Sequence, residues 1–377
     1  MRAHSAALLL LSGLASLVIA TTSCNREGPL IATDSIPTVE GTRPLLEVDT
    51  LGVVRVHVTQ VPLSPSARPM SVSILSAPHC VALINDAGER LLDWRDEAGR
   101  RWASVPYAAL VSATTQPLAV LLLPDSSALV STDSSASTFV VHPDGRVRRV
   151  ALSARPSGVD GSLWIEAGDK ALLEFWAASS RFAKASGWPE HLPLAFRYSS
   201  ASTGVTPERS IGALPYHPDD AARPLLSRGQ PFVWHDTVFF ASRVSASLQP
   251  VYPASDSVVR LPVTFRGPGV VYATGAFKGE AYSADELLAA TPLSDSILLV
   301  GLAEPDGSLG KGTVVKTLIG VSRRGEVIGR VVGDRGGIPL LAGIRSDRDA
   351  AIAIQVNESG VPSGVDILAL ASSGCAF

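Results

Sequence analysis

The chain has 377 residues, 46% of them hydrophobic and 18% charged, with a formal net charge of −3. That balance supplies apolar surface for a sizeable core and is the reverse of the composition that keeps chains disordered. The basic residues are scattered, and the densest group, Arg146, Arg148 and Arg149, alternates along an expected strand. No nucleic-acid partner is therefore expected.

Residues 1–23 have the layout of a cleaved export signal. Arg2, with His4, opens a short basic region, and an apolar stretch runs from Ala6 to Ala20 on Leu8, Leu9, Leu10, Leu11, Leu14, Leu17, Val18 and Ile19. The stretch is shorter than the roughly 20 apolar residues of a comfortable membrane span. Residues 24–45 are rich in Pro, Thr, Ser and Gly and show little periodicity. They read as a flexible tether, and residues 46–377 as the folded domain.

The run Ala20-Thr21-Thr22-Ser23-Cys24 resembles a bacterial lipoprotein box. The resemblance implies that Cys24 becomes the first mature residue and carries a lipid anchor, in the outer membrane or periplasm. Thr21 departs from the family, which usually has an apolar residue there. The alternative is cleavage after Ala20 and secretion as a soluble protein. Two cysteines remain, Cys80 and Cys375. An oxidising compartment favours their pairing as a disulfide; the other reading is one buried thiol and one in the C-terminal tail.

Short apolar runs separated by turn residues then follow in chain order. A strand is expected at Leu46–Val58. Residues 70–105 give four runs, with turns at Asn85-Asp86-Ala87-Gly88 and Asp96-Glu97-Ala98-Gly99. Residues 118–152 give four more, and Pro143-Asp144-Gly145 supplies the positive φ that a tight hairpin needs. Further units are read at 162–200, 231–265, 296–332 and 338–371. Residues 169–187 fit a hairpin better than a helix, and Ala284–Ala290 reads as a short helix or a turn.

About six such units of three or four strands indicate a radial array, because a single small sheet cannot bury both its faces alone. The Leu46–Val58 strand is positioned to complete the last unit beside the C-terminal strands. The recurrent turns His142-Pro143-Asp144-Gly145 and Glu304-Pro305-Asp306-Gly307 resemble those of exported six-bladed β-propellers, including the NHL and TolB-like groups. The fold expectation is thus an all-β, six-bladed β-propeller. Its rival is a pair of β-sandwich domains divided near residues 200–230, where Pro207, Pro215, Pro218 and Pro224 crowd together.

The familiar local catalytic motifs are missing: there is no GxSxG elbow, HExxH helix, P-loop or GxGxxG fingerprint. No catalytic residue is assigned and no metal site is expected. Two places carry binding candidates. Trp234 and His235 adjoin Asp236, which can charge and orient the imidazole; a plain hairpin turn explains them as well. The long segment 176–224 carries Trp188, His191, Tyr216, His217 and Asp219, and aromatic residues beside polar groups suit a protein, peptide or glycan surface. Core filling explains the tryptophans equally. Asp219-Asp220 offers at most a weak start for a calcium site, so no cofactor is otherwise expected. The leading functional reading is a binding or scaffold module. The alternative is a hydrolase or lactonase-like propeller with a metal in its central channel, assembled from single residues on separate blades.

Overall fold

A computed structural model describes residues 51–75, 79–110, 117–132, 137–150, 159–167, 171–178, 193–201, 204–213, 229–242, 246–253, 258–263, 269–272, 280–283, 286–303, 317–334, 341–347, 350–357 and 361–370. Two compact units divide the chain. In Met1–Arg43 with Pro268–Ala284, the described residues form one antiparallel hairpin, Gly269–Tyr272 against Glu280–Ser283. All other described strands lie in Pro44–Gly267 with Asp285–Phe377.

Strand β1, Val53–Val61, comes first. The first sheet follows: β2 Pro69–Leu75, β3 Val81–Asp86, β4 Leu91–Arg95 and β5 Arg101–Pro106. The second is β6 Pro117–Leu122, β7 Ala128–Thr132, β8 Thr138–Val141 and β9 Val147–Val150. The third is β10 Val159–Glu166, β11 Ala171–Ala178, β12 Pro193–Ala201 and β13 Gly204–Ala213. The fourth is β14 Gly229–Trp234, β15 Thr237–Ser242, β16 Ser247–Tyr252 and β17 Val259–Arg260. The hairpin of the other unit is β18 and β19. Next come β20 Glu286–Pro292, β21 Ile297–Ala303, β22 Thr317–Ser322 and β23 Val327–Gly333, then β24 Leu341–Asp347, β25 Ala350–Val356 and β26 Pro362–Ala369. The first four sheets are antiparallel meanders of four strands. The last seven strands and β1 form one sheet in the order β20-β21-β22-β23-β1-β26-β25-β24.

That eight-stranded sheet has a seam. Strand β1 runs antiparallel to β26 over His57–Val61 and parallel to β23 over Val53–Val56. The first described strand therefore completes the sheet begun by the last three, as the sequence led one to expect. We call β24, β25, β26 and β1 the closing sheet, and β20–β23 the fifth meander.

Each sheet buries both faces, so its middle strands read as near-continuous apolar runs. In β3 every residue of Val-Ala-Leu-Ile-Asn-Asp is buried. Val81 and Leu83 join a cluster with Leu122, Val130 and Phe139 of the second sheet. Ala82 and Ile84, on the other face, join Ile352, Val365 and Ile367 of the closing sheet. The same alternation links the second sheet to the third through Leu129, Val140, Trp164 and Tyr198, and the third to the fourth through Leu173, Phe175, Val238 and Phe240. Phe232 and Trp234 then pack with Leu298 and Ile319 of the fifth meander, and Leu299 and Leu318 with Val56, Ala353 and Leu368 of the closing sheet. Successive sheets thus meet face to face, and the last returns to the first. This is an all-β propeller. Each fully buried Leu, Ile, Val or Phe contributes roughly 1.5–3 kcal/mol of transfer free energy.

One turn recurs at the third hairpin of three meanders. In Asp96–Arg100, His142–Arg146 and Ser322–Glu326, the first residue's N–H donates to the fifth residue's carbonyl at 3.0, 2.9 and 2.8 Å. The glycine N–H donates back to the first carbonyl at 2.8, 3.0 and 2.9 Å. Gly99, Gly145 and Gly325 have φ of 70°, 88° and 85°, the left-handed region that a side chain disfavours.

Two readings are corrected. Residues 284–290 hold no helix among the described residues: Glu286–Pro292 is β20. A bulge between Leu287 and Ala289 breaks the two-residue alternation, so Leu287 and Ala290 share a face at a spacing that imitates a helix. The two-sandwich alternative fails as well. Pro207, at its proposed boundary, lies inside β13 opposite Tyr198.

Candidate functional site

The first sheet buries polar groups that the sequence did not single out. Asn85, on β3, is wholly buried. Its Nδ2 donates to Ser71 Oγ at 3.1 Å and to the Pro117 carbonyl at 3.0 Å, and its Oδ1 accepts from the Tyr107 hydroxyl. Burial, and secondarily the charge of Asp86, pushes the Tyr107 phenol well up, so it stays a donor. Ser73 Oγ accepts from the Leu122 N–H at 2.7 Å. These side chains stitch the first sheet to the innermost strand of the second.

A second polar group occupies the opposite face. Asp93 is almost fully buried and accepts from Arg95 Nε at 2.9 Å and Nη2 at 2.7 Å, and from Arg101 Nε at 2.8 Å. Arg101 Nη2 reaches Glu89 at 2.6 Å. Glu89 also accepts from the hydroxyls of Ser64 and Ser66; the Ser64 bond, then Arg101, holds its carboxyl below the usual range. Arg95 donates to the carbonyls of Pro62 and Gly99. Two carboxylates and two guanidiniums cancel, and their donors clamp the segment that joins β1 to β2. With its charges satisfied internally, the cluster acts as a fastening.

Of the candidates read from the sequence, Trp234 and His235 are described. Trp234 ends β14, is buried, and donates its indole N–H to the Ser294 carbonyl at 3.1 Å. His235 and Asp236 form the two-residue link between β14 and β15, with φ of 51° and 57°, as in the primed turns that suit hairpin twist. His235 Nε2 contacts the Asp295 carbonyl. The pair therefore joins the first hairpin of the fourth sheet to that of the fifth meander. Cys80 is buried and disulfide-bonded. Cys24, Cys375, Trp188, His191, Tyr216, His217 and Asp219 lie outside the described residues, as does the calcium candidate Asp220.

The strands that bound those residues are described. Val159 pairs with Ala178, the last residue of β11, and Pro193, the first of β12, pairs with Ala213, the last of β13. Segments 179–192 and 214–228 are therefore both anchored at one end of the third sheet. Farther along, toward the opposite end, the sheet is aromatic. Trp164 and Tyr198 lie 5.1 Å apart, and Phe196 and Tyr198 5.2 Å apart. Trp164 Nε1 donates to Ser131 Oγ at 3.0 Å and the Tyr198 hydroxyl to the buried Glu174 at 2.7 Å. At about 3.3 Å per residue, Glu174 sits about 13 Å below Ala178. Among the described residues, no group of three or more His, Cys, Asp and Glu is placed to hold a metal ion. No described helix is long and apolar enough to cross a membrane.

No protein-family model matches the chain, and no curated protein matches it. Solved structures similar to it include a catalytically inactive virginiamycin B lyase from Staphylococcus aureus, with 8% identity and a TM-score of 0.46, covering 84% of this chain and 100% of that one. Another is regucalcin, a calcium-binding protein from Agrobacterium tumefaciens, with 14% identity, a TM-score of 0.45, and coverage of 84% and 94%. A third is a Bacteroides vulgatus protein with 9% identity, a TM-score of 0.46, and coverage of 83% and 98%.

Proposed function

We propose that this chain is an exported, membrane-tethered binding module: a six-bladed propeller that presents the segments 179–192 and 214–228 to a protein, peptide or glycan. The observation that carries the reading is the shared anchoring of those segments at Ala178, Pro193 and Ala213. It brings the chain ends that flank Trp188, His191, Tyr216, His217 and Asp219 to one end of a rigid sheet. Rigid scaffolds with side chains on connecting segments are where binding surfaces concentrate.

The blade count of six is supported by the seam in the eight-stranded sheet, which divides into the four-stranded fifth meander and the four-stranded closing sheet. The anchor is supported by Cys24 and the apolar leader before it. The tether and closing strand are consecutive, so an anchored chain would hold its propeller through β1.

Glycan and peptide arrays probed with the wild-type chain and with Trp188→Ala and Tyr216→Ala variants test the binding surface. A ligand captured by the wild type should lose about tenfold or more in affinity with either variant, the scale of one lost aromatic anchor. Equal binding by all three chains sinks the assignment of this end. For the anchor, Cys24→Ser should lose lipid labelling and leave the membrane fraction; unchanged fractionation removes the lipoprotein reading.

A further inference from the structure

The closing sheet holds an acid that the fold does not neutralise. Asp366 lies in β26, opposite Gln60 of β1 and Ala353 of β25. It is 1% exposed, and neither carboxylate oxygen has a hydrogen-bond partner of good geometry. Its neighbours Val365 and Ile367 pack toward the first sheet, so Asp366 shares the face of Leu368, toward the fifth meander. The buried cluster on that face, which includes Leu368 and Ala353, the partner of Asp366, is apolar. Among the described side chains, the ionisable groups of the surrounding strands lie elsewhere. Arg55 and Arg330 are exposed, and His57 pairs with Asp334 at 2.6 Å. The side chains of Glu286, Arg345 and Asp347 lie outside the described residues. The near polar side chains are the amides of Gln355 and Gln60.

We propose that Asp366 is a protonation-controlled clasp on the strand that closes the ring. Neutral, it lets β26 hold β1 firmly; ionised, it loosens that pairing. A buried carboxylate without a cation costs several kcal/mol, whereas the neutral acid costs far less. Burial pushes the Asp366 carboxyl above the ordinary range, and Gln355 pulls it back only in part. A raised folded value means that the stabilisation is complete below the unfolded pKa of about 3.9 and is lost as pH rises through the folded value. The clasp acts on the strand that directly follows the tether, so it would couple local acidity to how securely the propeller is closed.

Hydrogen exchange of the β1 amides, corrected for intrinsic rates, tests this on the full chain from about pH 4 to about pH 9. Wild-type protection at His57–Val61 should fall with rising pH, by at most about tenfold per pH unit for one proton. In Asp366→Asn the dependence should flatten, and in His57→Asn, which removes the nearby imidazole that meets Asp334, it should persist. Asp366→Ala serves the same comparison if the Asn chain does not fold. Protection in the wild type that does not change with pH overturns the proposal. So does an unchanged slope in the Asp366 variant.

Discussion

In the first sheet, four consecutive strands fold back on one another, and buried Asp93 meets two guanidiniums within hydrogen-bonding distance. In the closing sheet, three C-terminal strands recruit β1 from the other end of the described chain, and buried Asp366 meets no cation among the described side chains. Both sheets solve the same problem of covering two apolar faces. One does so with local contacts and neutralised charge. The other depends on a strand some three hundred residues away in sequence and tolerates an acid in its core. The closure of the ring is thus where chain entropy is most costly to overcome and where the internal electrostatics are least settled.

The largest expected effect comes from breaking the neutral cluster. Asp93→Ala leaves Arg95 buried and uncompensated, and should cost about 3–5 kcal/mol in urea unfolding. Asp366→Asn should cost nothing or add stability at neutral pH. If the two variants lose equal stability, the contrast between the sheets is wrong.

The recurrent glycine turn gives a middle-sized test. Gly145→Ala has open space around the new Cβ and should cost about 1 kcal/mol, from the positive φ alone. Gly325→Ala would place its Cβ 2.1 Å from the Arg260 carbonyl oxygen of the fourth sheet, so its melting temperature should fall distinctly further. Equal shifts would mean that this hairpin does not press on β17.

The smallest effects belong to exposed turn acids. Asp96 and Asp144 accept backbone N–H bonds from Arg100 and Arg146, then side-chain bonds from the same residues, and their carboxyls are lowered. A lowered carboxyl contributes stability above its unfolded pKa and loses it as pH falls through the folded value. Carbon-13 titration should place both below the ordinary range, opposite in direction to Asp366; ordinary values would remove the turn assignment.

Much of the propeller was legible beforehand. Turn glycines and two-residue alternation marked the hairpins of the first and second sheets because those signals are local. The third and fourth sheets were read incompletely. Ser247–Tyr252 and Gly204–Ala213 form strands, but each carries a proline and polar residues that mask the alternation. The bulge in β20 hid another. Of the candidate site, the sequence offered aromatic and polar residue types but not their common end. The polar clusters went unnoticed as well, although Asp93 and Arg95 stand out as charges within the apolar run of β4.

The sequence by itself determined that successive short strands must pair as hairpins and that each small sheet would leave apolar faces on both sides. Only the tertiary structure decided that β1 lies between β23 and β26, that Asp93 is neutralised while Asp366 is not, and that Ala178, Pro193 and Ala213 share one end of a sheet. Hairpin signals act over a few residues and are written in them. Strand partners and the dielectric around a carboxylate depend on segments hundreds of residues apart, and exist only once the ring has closed.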